Sequence, residues 1–398
     1  MKNKLIVITS TIGRMGGAQM YVENKVKYFQ SKGWDVFVFY YLWAENILLP
    51  GMVQFKDNYI PDLRYPIQFV PKYCKKKILA QIRDVVQPGE GRIVIETQLV
   101  LAAYWGELIA KDLKARHVIN IIEEQFPDFD EKENAFFEFK LLAGDNMNAT
   151  PKRLRKMFKD RFKEEYEKQI RKVAIPCANV VSSEVKDNYQ FEDCDYTILS
   201  IGRLDKPYIP KMNEEIKKFA VSAGGKKLNV VYVGGSYDGS MEVTIPRFFK
   251  EVDNVRCYIL GYVFPISREL IKKADVAIAC ANSVLVSASE GVPTIVVDVN
   301  DYSAIGVYGY TTKNLFKRED EKQETVSGLL QQILLDKAFE NAGNVIVDIP
   351  DQNEVFEREL SYFIERQKVE YFDVNSIYSI PIQLLSKTKY LIRKIINK

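Results

Sequence analysis

Two stretches, far apart in the chain, share one pattern: an apolar run ends in a glycine turn carrying a cation and then passes into a helical period. The first is Leu5-Ile-Val-Ile-Thr-Ser-Thr-Ile-Gly-Arg-Met-Gly-Gly-Ala-Gln19 and the second is Tyr196-Thr-Ile-Leu-Ser-Ile-Gly-Arg-Leu-Asp-Lys206. Strand, helix and strand in that order demand a right-handed parallel unit. Meeting the opening twice predicts an α/β chain of two Rossmann-like domains facing across a cleft, a layout suited to a phosphate-bearing ligand.

Composition narrows the class. At 398 residues the chain is long enough for two α/β domains. With 47% hydrophobic and 27% charged residues, it reads as globular. A net charge of +3 is too small to argue for nucleic acid as a partner. No apolar run reaches the ~20 residues of a membrane span. The opening Met1-Lys-Asn-Lys-Leu-Ile-Val-Ile-Thr reads as a first strand, its apolar stretch being too short for a signal peptide. Five cysteines (Cys74, Cys177, Cys194, Cys257, Cys280) have no paired spacing, which fits reduced thiols in a cytoplasm. The single histidine, His117, argues against a His-rich metal site or a Ser-His-Asp triad and reads as structural.

In the first half, strands are expected at Leu5–Ser10, Trp34–Tyr41, Ile67–Val70, Ile93–Glu96 and Val118–Ile122, with helices over Ala18–Lys32 and Leu99–Lys114. Residues 127–175 break the alternation. They hold an acidic turn from Pro127 and then Lys152–Lys172, with ten basic residues among twenty-one. Ala178–Glu184 reads as the last strand of the first domain and Asp187–Asp195 as a linker. In the second half, strands are expected at Thr197–Ile201, Leu228–Val233, Val255–Leu260, Asp275–Cys280 and Thr294–Val299. Helices are expected at Lys211–Ser222, Ser267–Lys273, Val284–Glu290, Glu324–Leu335 and Glu354–Lys368. The domains are therefore expected at 1–190 and 191–368, with a helical tail over 369–398 packing back on the first domain or on a membrane surface.

Candidate chemistry lies where strands end. Gly13–Ala18, including Gly16 and Gly17, would let a ligand approach a helix start. It is not GxGxxG, and the second strand ends in Phe39-Tyr-Tyr-Leu-Trp43 without the acid that a dinucleotide ribose wants, so a nicotinamide or flavin cofactor is not expected. Gly202-Arg203-Leu204-Asp205-Lys206 is the sharpest feature: arginine holds a diphosphate through paired hydrogen bonds, and Lys206 or Lys211 adds a point charge. The bland alternative pairs Arg203 with Asp205 or with an acid near the C-terminus. Gly234-Gly235-Ser236 and Gly261-Tyr262-Val263 end further strands. Ser283 and Ser287 sit in a small-residue helix that closes at Glu290-Gly-Val-Pro293.

Taken together these residues resemble the GT-B glycosyltransferases, in particular the large retaining group of bacterial sugar transferases known as glycosyltransferase family 4. Gly16-Gly-Ala-Gln19 and Gly33-Trp-Asp-Val36 are similar to that family's Gly-Gly-Ala-Glu and Gly-His-Glu-Val. Ser200-Ile-Gly-Arg-Leu204 is similar to its Gly-Arg-Leu turn, and Ala274-Asp-Val-Ala-Ile278 and Ala288-Ser-Glu-Gly-Val-Pro293 to its Ala-Asp-Val strand and Ala-x-x-Gly-x-Pro helix end. The likeness covers most of residues 1–320 and is weakest between 45 and 185.

The resemblance implies a transferase that moves a sugar from a nucleotide diphosphate sugar to a polysaccharide or lipid-linked saccharide acceptor, with retention and with no bound metal or cofactor. It implies donor contacts at Arg203, Lys206, Lys211, Gly234, Gly235, Ser236, Gly261, Tyr262, Val263, Ser283, Ser287 and Glu290. The strand-end acids Glu123 and Glu124 are expected as catalytic groups, and Gly16, Gly17 and Glu96 on the acceptor side. Asp128-Phe-Asp130 resembles the Asp-x-Asp metal clamp of the other glycosyltransferase fold but lacks its context. Lys152–Lys172 and the amphipathic tail Ile380–Lys398 are expected either to meet an anionic membrane surface or to stay solvated, which puts the protein in the cytoplasm with a peripheral contact at the inner face of the membrane as an option.

The departures are specific. The family's two glutamates, seven residues apart, have no full counterpart: the later falls at Val286, the loop that carries the earlier is shorter, and Glu290 lies four residues late. The usual cation after Gly-Arg-Leu falls at Tyr208, and the histidine after a first-domain strand is replaced by Glu123-Glu124. A non-catalytic homologue that binds and stabilises a partner transferase is the alternative expectation. A sugar-nucleotide epimerase of the same fold is a third.

Overall fold

The computed structural model describes residues 2–13, 15–122, 127–147, 151–169, 180–299, 301–318, 323–340, 347, 351–365 and 369–377, together with 388, 390 and 392. The strands are β1 (Lys4–Thr9), β2 (Asp35–Tyr40), β3 (Ile93–Thr97), β4 (Arg116–Ile119), β5 (Val181–Ser182), β6 (Tyr196–Ile201), β7 (Leu228–Val233), β8 (Val255–Ile259), β9 (Ile266–Ser267), β10 (Val276–Ala279), β11 (Thr294–Val297) and β12 (Ala304–Val307). The helices are α1 (Gly17–Ser31), α2 (Lys72–Val86), α3 (Val100–Leu113), α4 (Glu131–Leu142), α5 (Pro151–Phe158), α6 (Ile209–Ser222), α7 (Met241–Phe249), α8 (Arg268–Lys272), α9 (Ser283–Ala288), α10 (Val326–Leu330) and α11 (Gln352–Glu365). Two compact units result: Met1–Pro176 with Pro350–Lys398, and Cys177–Ile349.

In the first unit the strand order is β2-β1-β3-β4, all parallel. Leu5–Thr9 and Ile93–Thr97 are buried residue after residue, as central strands covered on both faces require. Cys74, Ile78, Ile82 and Val86 recur every fourth position and seat α2 on this core. The expected strand at Ile67–Val70 is instead a turn of 3-10 helix over Ile67–Phe69, because Pro66 and Pro71 bracket it and deny the ladder two donors. The broken stretch after residue 127 contains α4, which Asp130 starts: its side chain accepts from the Lys132 and Glu133 amides while the Glu133 carboxylate returns to the Asp130 amide.

Helix α11, expected in the second domain, belongs to the first unit. Phe356 packs against Tyr21 and Tyr28 of α1, with ring centroids 5.9 and 5.4 Å apart, and Phe363 packs against Phe29 at 5.6 Å. A stripe of aromatics on each helix makes the match, and no local signal announces it. Tyr390 is buried against Tyr65 at 5.0 Å in the same unit; most of the tail around it lies outside the described residues.

The second unit has the order β12-β11-β10-β6-β7-β8, parallel except for the edge strand β12. The chain leaves β6 toward β7 and β8, then returns to lay β10 on the other side of β6. The carboxyl ends of β6 and β10 therefore flank the switch point, where such sheets leave a crevice. Strand β5, expected to close the first domain, pairs with β9 here. The expected linker is partly anchored on this unit, with Tyr189 and Phe191 packed on its core and Asp187 paired with Lys273.

Candidate functional site

At the carboxyl ends of the second sheet, three strand-end turns and one helix start converge. The Gly202 amide donates to Val233 O at 3.0 Å and the Leu204 amide to Gly235 O at 3.1 Å, which zips the turn after β6 to the turn after β7. Gly234 has φ +151°, and a Cβ there would lie 1.9 Å from Gly202 O, so only glycine permits this approach. Gly234 also bridges to Gly261, and the Tyr262 ring closes over Gly235, bringing in the turn after β8. From β10 comes Ser283: a Cβ on Gly202 would lie 3.5 Å from Tyr208 Oη and 4.0 Å from Ser283 Oγ. Gly202 thus faces two hydroxyls across the switch point.

Arg203 stands at this rim. Its guanidinium lies 4.2 Å from the Tyr237 ring centroid and its Nε 3.3 Å from Asp205 Oδ1, and its side chain is 29% exposed. The Asp205 pairing expected of a purely structural arginine is therefore present, yet the fork keeps a face toward solvent. Tyr208 is buried, with its hydroxyl beside the Gly202 turn; burial first, then Cys280, raises its pKa, while Arg203 works the other way. It is a neutral O–H donor at the place where the resembled family carries a cation. Lys206 lies 5.9 Å from the Tyr208 ring.

Other expected donor residues do not join this cluster. Ser287 is fully buried; its hydroxyl accepts from Thr294 Oγ1 at 2.9 Å and turns back to Val284 O, because its face of α9 packs on the sheet. Ser287 is thereby corrected from ligand contact to core residue. Lys211 donates to Asp301 O at 3.0 Å, and Glu290 pairs with Arg268 at 2.9 Å. Ser236 remains in the turn, but its amide and hydroxyl are both taken by Glu242, the amide at 2.7 Å. Val286 is buried among Leu199, Ile201 and Ala277.

The carboxyl ends of the first sheet are built differently. Gly16 is the extended N-cap of α1 and Gly17 its first residue. A Cβ on Gly13 would lie 2.3 Å from Ala44 Cβ, so the turn after β1 packs tightly under the segment that follows β2. Glu96, expected on the acceptor side, is fully buried and forms an ion pair with Lys25, which also pairs with Glu359 of α11. Tyr21 joins both acids and accepts from Asn120 Nδ2 at 2.6 Å. The correction has a physical reason: a charge at this depth survives only when paired, and α1 and α11 supply the partners. Burial and Glu96 push the Glu359 carboxyl up to about 7 against the pull of Lys25.

Beside that network, His117 is buried as expected of a structural residue. Nδ1 lies 2.7 Å from Glu107 Oε2 and Nε2 lies 2.8 Å from Thr97 Oγ1. Burial, then Lys140, lowers its pKa. Burial opposes the Glu107 charge, but His117 and Lys140 outweigh it and hold that carboxyl at about 2. The hydroxyl–imidazole–carboxylate order imitates a catalytic triad, yet no member reaches solvent. Glu123 and Glu124 lie outside the described residues. Of the Asp-x-Asp pair, Asp130 caps α4 and Asp128 pairs with Lys159. Among the described residues no cluster of three His, Cys, Asp or Glu side chains has metal-site geometry.

No protein-family model matches the chain, and no curated protein matches it in sequence. Solved structures do match along nearly the whole length. A glycosyltransferase from Rickettsia africae is 13% identical, with a TM-score of 0.54 over 100% of this chain and 99% of its own. HepE from Anabaena, solved with UDP and glucose, is 12% identical, with a TM-score of 0.52 over 96% of this chain and 99% of its own. The lipopolysaccharide outer core galactosyltransferase WaaB, in its apo form, is 13% identical, with a TM-score of 0.50 over 97% and 99%. The fold is GT-B. Within this GT-B chain, both Rossmann-like units that the paired glycine openings predict are present.

The GT-B switch-point cluster contains one residue that sequence reasoning left off the site. Tyr208 stands out in the sequence only as a missing cation, and its hydroxyl becomes visible as a candidate once Gly202 and Ser283 are seen around it. The basic stretch after residue 151 is partly neutralised, through Arg155–Glu167 within it and Lys163–Glu138 of α4, both at 2.6 Å. Among the described residues no helix is long and apolar enough to cross a membrane.

Proposed function

We propose that this protein transfers a sugar from a nucleoside diphosphate sugar to a hydroxyl of a polysaccharide or lipid-linked saccharide, with the donor held by the second unit. The observation that carries this reading is the convergence of Arg203, the Tyr208 hydroxyl and the Ser283 hydroxyl around Gly202 at the sheet's switch point. As the bond from the anomeric carbon to the phosphate oxygen breaks, negative charge develops on the leaving diphosphate. Arg203 and Lys206 neutralise it, and Tyr208 and Ser283 donate hydrogen bonds to phosphate or ribose oxygens. The turns at Gly234–Ser236 and Gly261–Val263 border the base. Glu123 or Glu124 orients the acceptor hydroxyl or takes its proton. Cation and hydroxyl donors then serve the leaving group in place of a metal, no cofactor takes part, and the anomeric configuration is retained. The reaction takes place in the cytoplasm, with a peripheral contact at the inner face of the membrane.

The same fold in HepE, solved with UDP and glucose, supports a nucleotide-sugar ligand here. Calorimetry with UDP-, GDP-, ADP- and CMP-sugars on the wild type and on Arg203→Ala tests it. One donor binds, and the substitution weakens it at least about tenfold, ~1.4 kcal/mol. Binding of no donor overturns the reading.

A second reading has its own observation. Val286, where the resembled family places its later glutamate, is packed in an apolar cluster and offers no carboxylate. This favours a non-catalytic GT-B homologue that binds and stabilises a partner transferase. Tight donor binding without turnover on any acceptor would select it.

A further inference from the structure

Three tryptophans occur in the chain. Trp34 and Trp105 are core residues, at 5% and 0% exposure, whereas Trp43 is 59% exposed. An exposed indole is ordinarily mobile, but this one is braced. Its ring meets Tyr59 edge-on, with centroids 5.2 Å apart at 67°, and Tyr59 in turn packs on the buried Tyr40 ring at 5.4 Å. The stack is fixed at its base. The Ile60 amide donates to Tyr40 O at 2.8 Å, which aligns residues 58–60 alongside β2, and the Tyr40 hydroxyl donates to Lys56 O at 2.7 Å. The Leu42 amide donates to Ser10 O at 2.7 Å, which ties the strand end carrying Trp43 to the turn after β1. A rigid ladder of three rings thus runs from the core to an indole at the carboxyl end of the first sheet.

We propose that Trp43, braced by Tyr59 and Tyr40, is the platform on which a pyranose ring of the acceptor saccharide stacks. The choice of acceptor rests on the transferase reading. A fixed aromatic face presents π-density to the polarised C–H groups of a sugar ring and loses little conformational freedom on binding. The surroundings suit a saccharide better than an anionic bilayer. Exposed Glu45, Asn46, Gln54 and Asp57 share the segment with a single cation, Lys56, so residues 41–60 carry one positive and two negative side chains. Leu42, Leu48 and Val53 add exposed apolar area on the same segment.

Because the other tryptophans are buried, quenching of fluorescence by acrylamide reports on Trp43. Maltohexaose, mannohexaose and N-acetylchitohexaose are each titrated into the full chain, beside vesicles of phosphatidylglycerol and phosphatidylethanolamine. At least one oligosaccharide is expected to protect Trp43 from acrylamide. Trp43→Ala should then raise the Kd of that oligosaccharide about tenfold, with Trp43→Phe retaining most of the affinity and neither variant changing the thermal midpoint. Protection by vesicles alone, or by no oligosaccharide, overturns the platform. Nucleotide-sugar binding is measured separately. Saccharide protection without donor binding sustains the platform and sinks the transferase reading, whereas donor binding without saccharide protection does the reverse.

Discussion

The two sheets end in the same topological place and treat polar groups in opposite ways. Against the first sheet, the strand-end residues Glu96 and Thr97 are drawn into the core with His117 of β4 and satisfied by Lys25, Glu359 and Glu107 from the helices around them. At the carboxyl ends of the second, glycine turns hold the backbone close, and Arg203 keeps a face at the rim beside the hydroxyls of Tyr208 and Ser283. The buried network against the first sheet is thus committed to holding α1, α3 and α11 on it. In the second unit, the turns leave Arg203 at the rim, where we propose the donor's diphosphate binds. Ionisable residues at a strand end are a poor guide to a ligand until their burial is known.

The largest effect should come from breaking the first network. Lys25→Met leaves Glu96 and Glu359 uncompensated and should destabilise the first unit by about 3–5 kcal/mol in urea unfolding. Adding Glu359→Leu should recover part of that loss.

The next test uses pH. Glu359 binds its proton more tightly folded, at about 7, than in the unfolded chain, at its ordinary 4.5. Its contribution is therefore complete below about pH 4.5 and is lost as pH rises through 7, amounting to about 3 kcal/mol at most. Glu359→Gln should lose less stability than the wild type as pH rises from 4.5 through about 7 when chemical-denaturation midpoints are compared. Equal slopes would remove Glu359 as the titrating group.

Ser287→Ala sharpens the comparison from the other side. It should cost about 1 kcal/mol of stability through the lost Thr294 hydrogen bond and leave donor affinity unchanged in calorimetry. Smallest of all, Tyr208→Phe should leave stability unchanged and weaken nucleotide-sugar binding by about 0.5–1.5 kcal/mol. An unchanged Kd would exclude that hydroxyl from the site.

The fold was legible wherever local periodicity and burial coincide. The two glycine openings, the buried runs of β1, β6 and β7, and the structural role of His117 all follow from short-range patterns. Helix α2 repeats Cys74, Ile78, Ile82 and Val86 at helical spacing yet is missing from the expected helices. Helix α7 was hidden by Pro246 within it, and α4 by an acidic turn that proves to be its cap. The candidate site was half legible. The turns at Gly202, Gly234 and Gly261 come together with Ser283, whereas Glu96 and Ser287 go into the core.

Sequence alone determined the alternation, the two Rossmann-like openings and the glycines that a close turn requires, because these depend on neighbours a few residues away. Only the tertiary structure decided that α11 belongs with α1, that β5 serves the second unit, and which polar strand ends are buried and which stay at the rim. Those outcomes depend on the faces brought together by long-range packing. A carboxylate or a hydroxyl carries no mark of its partner until the chain has closed around it.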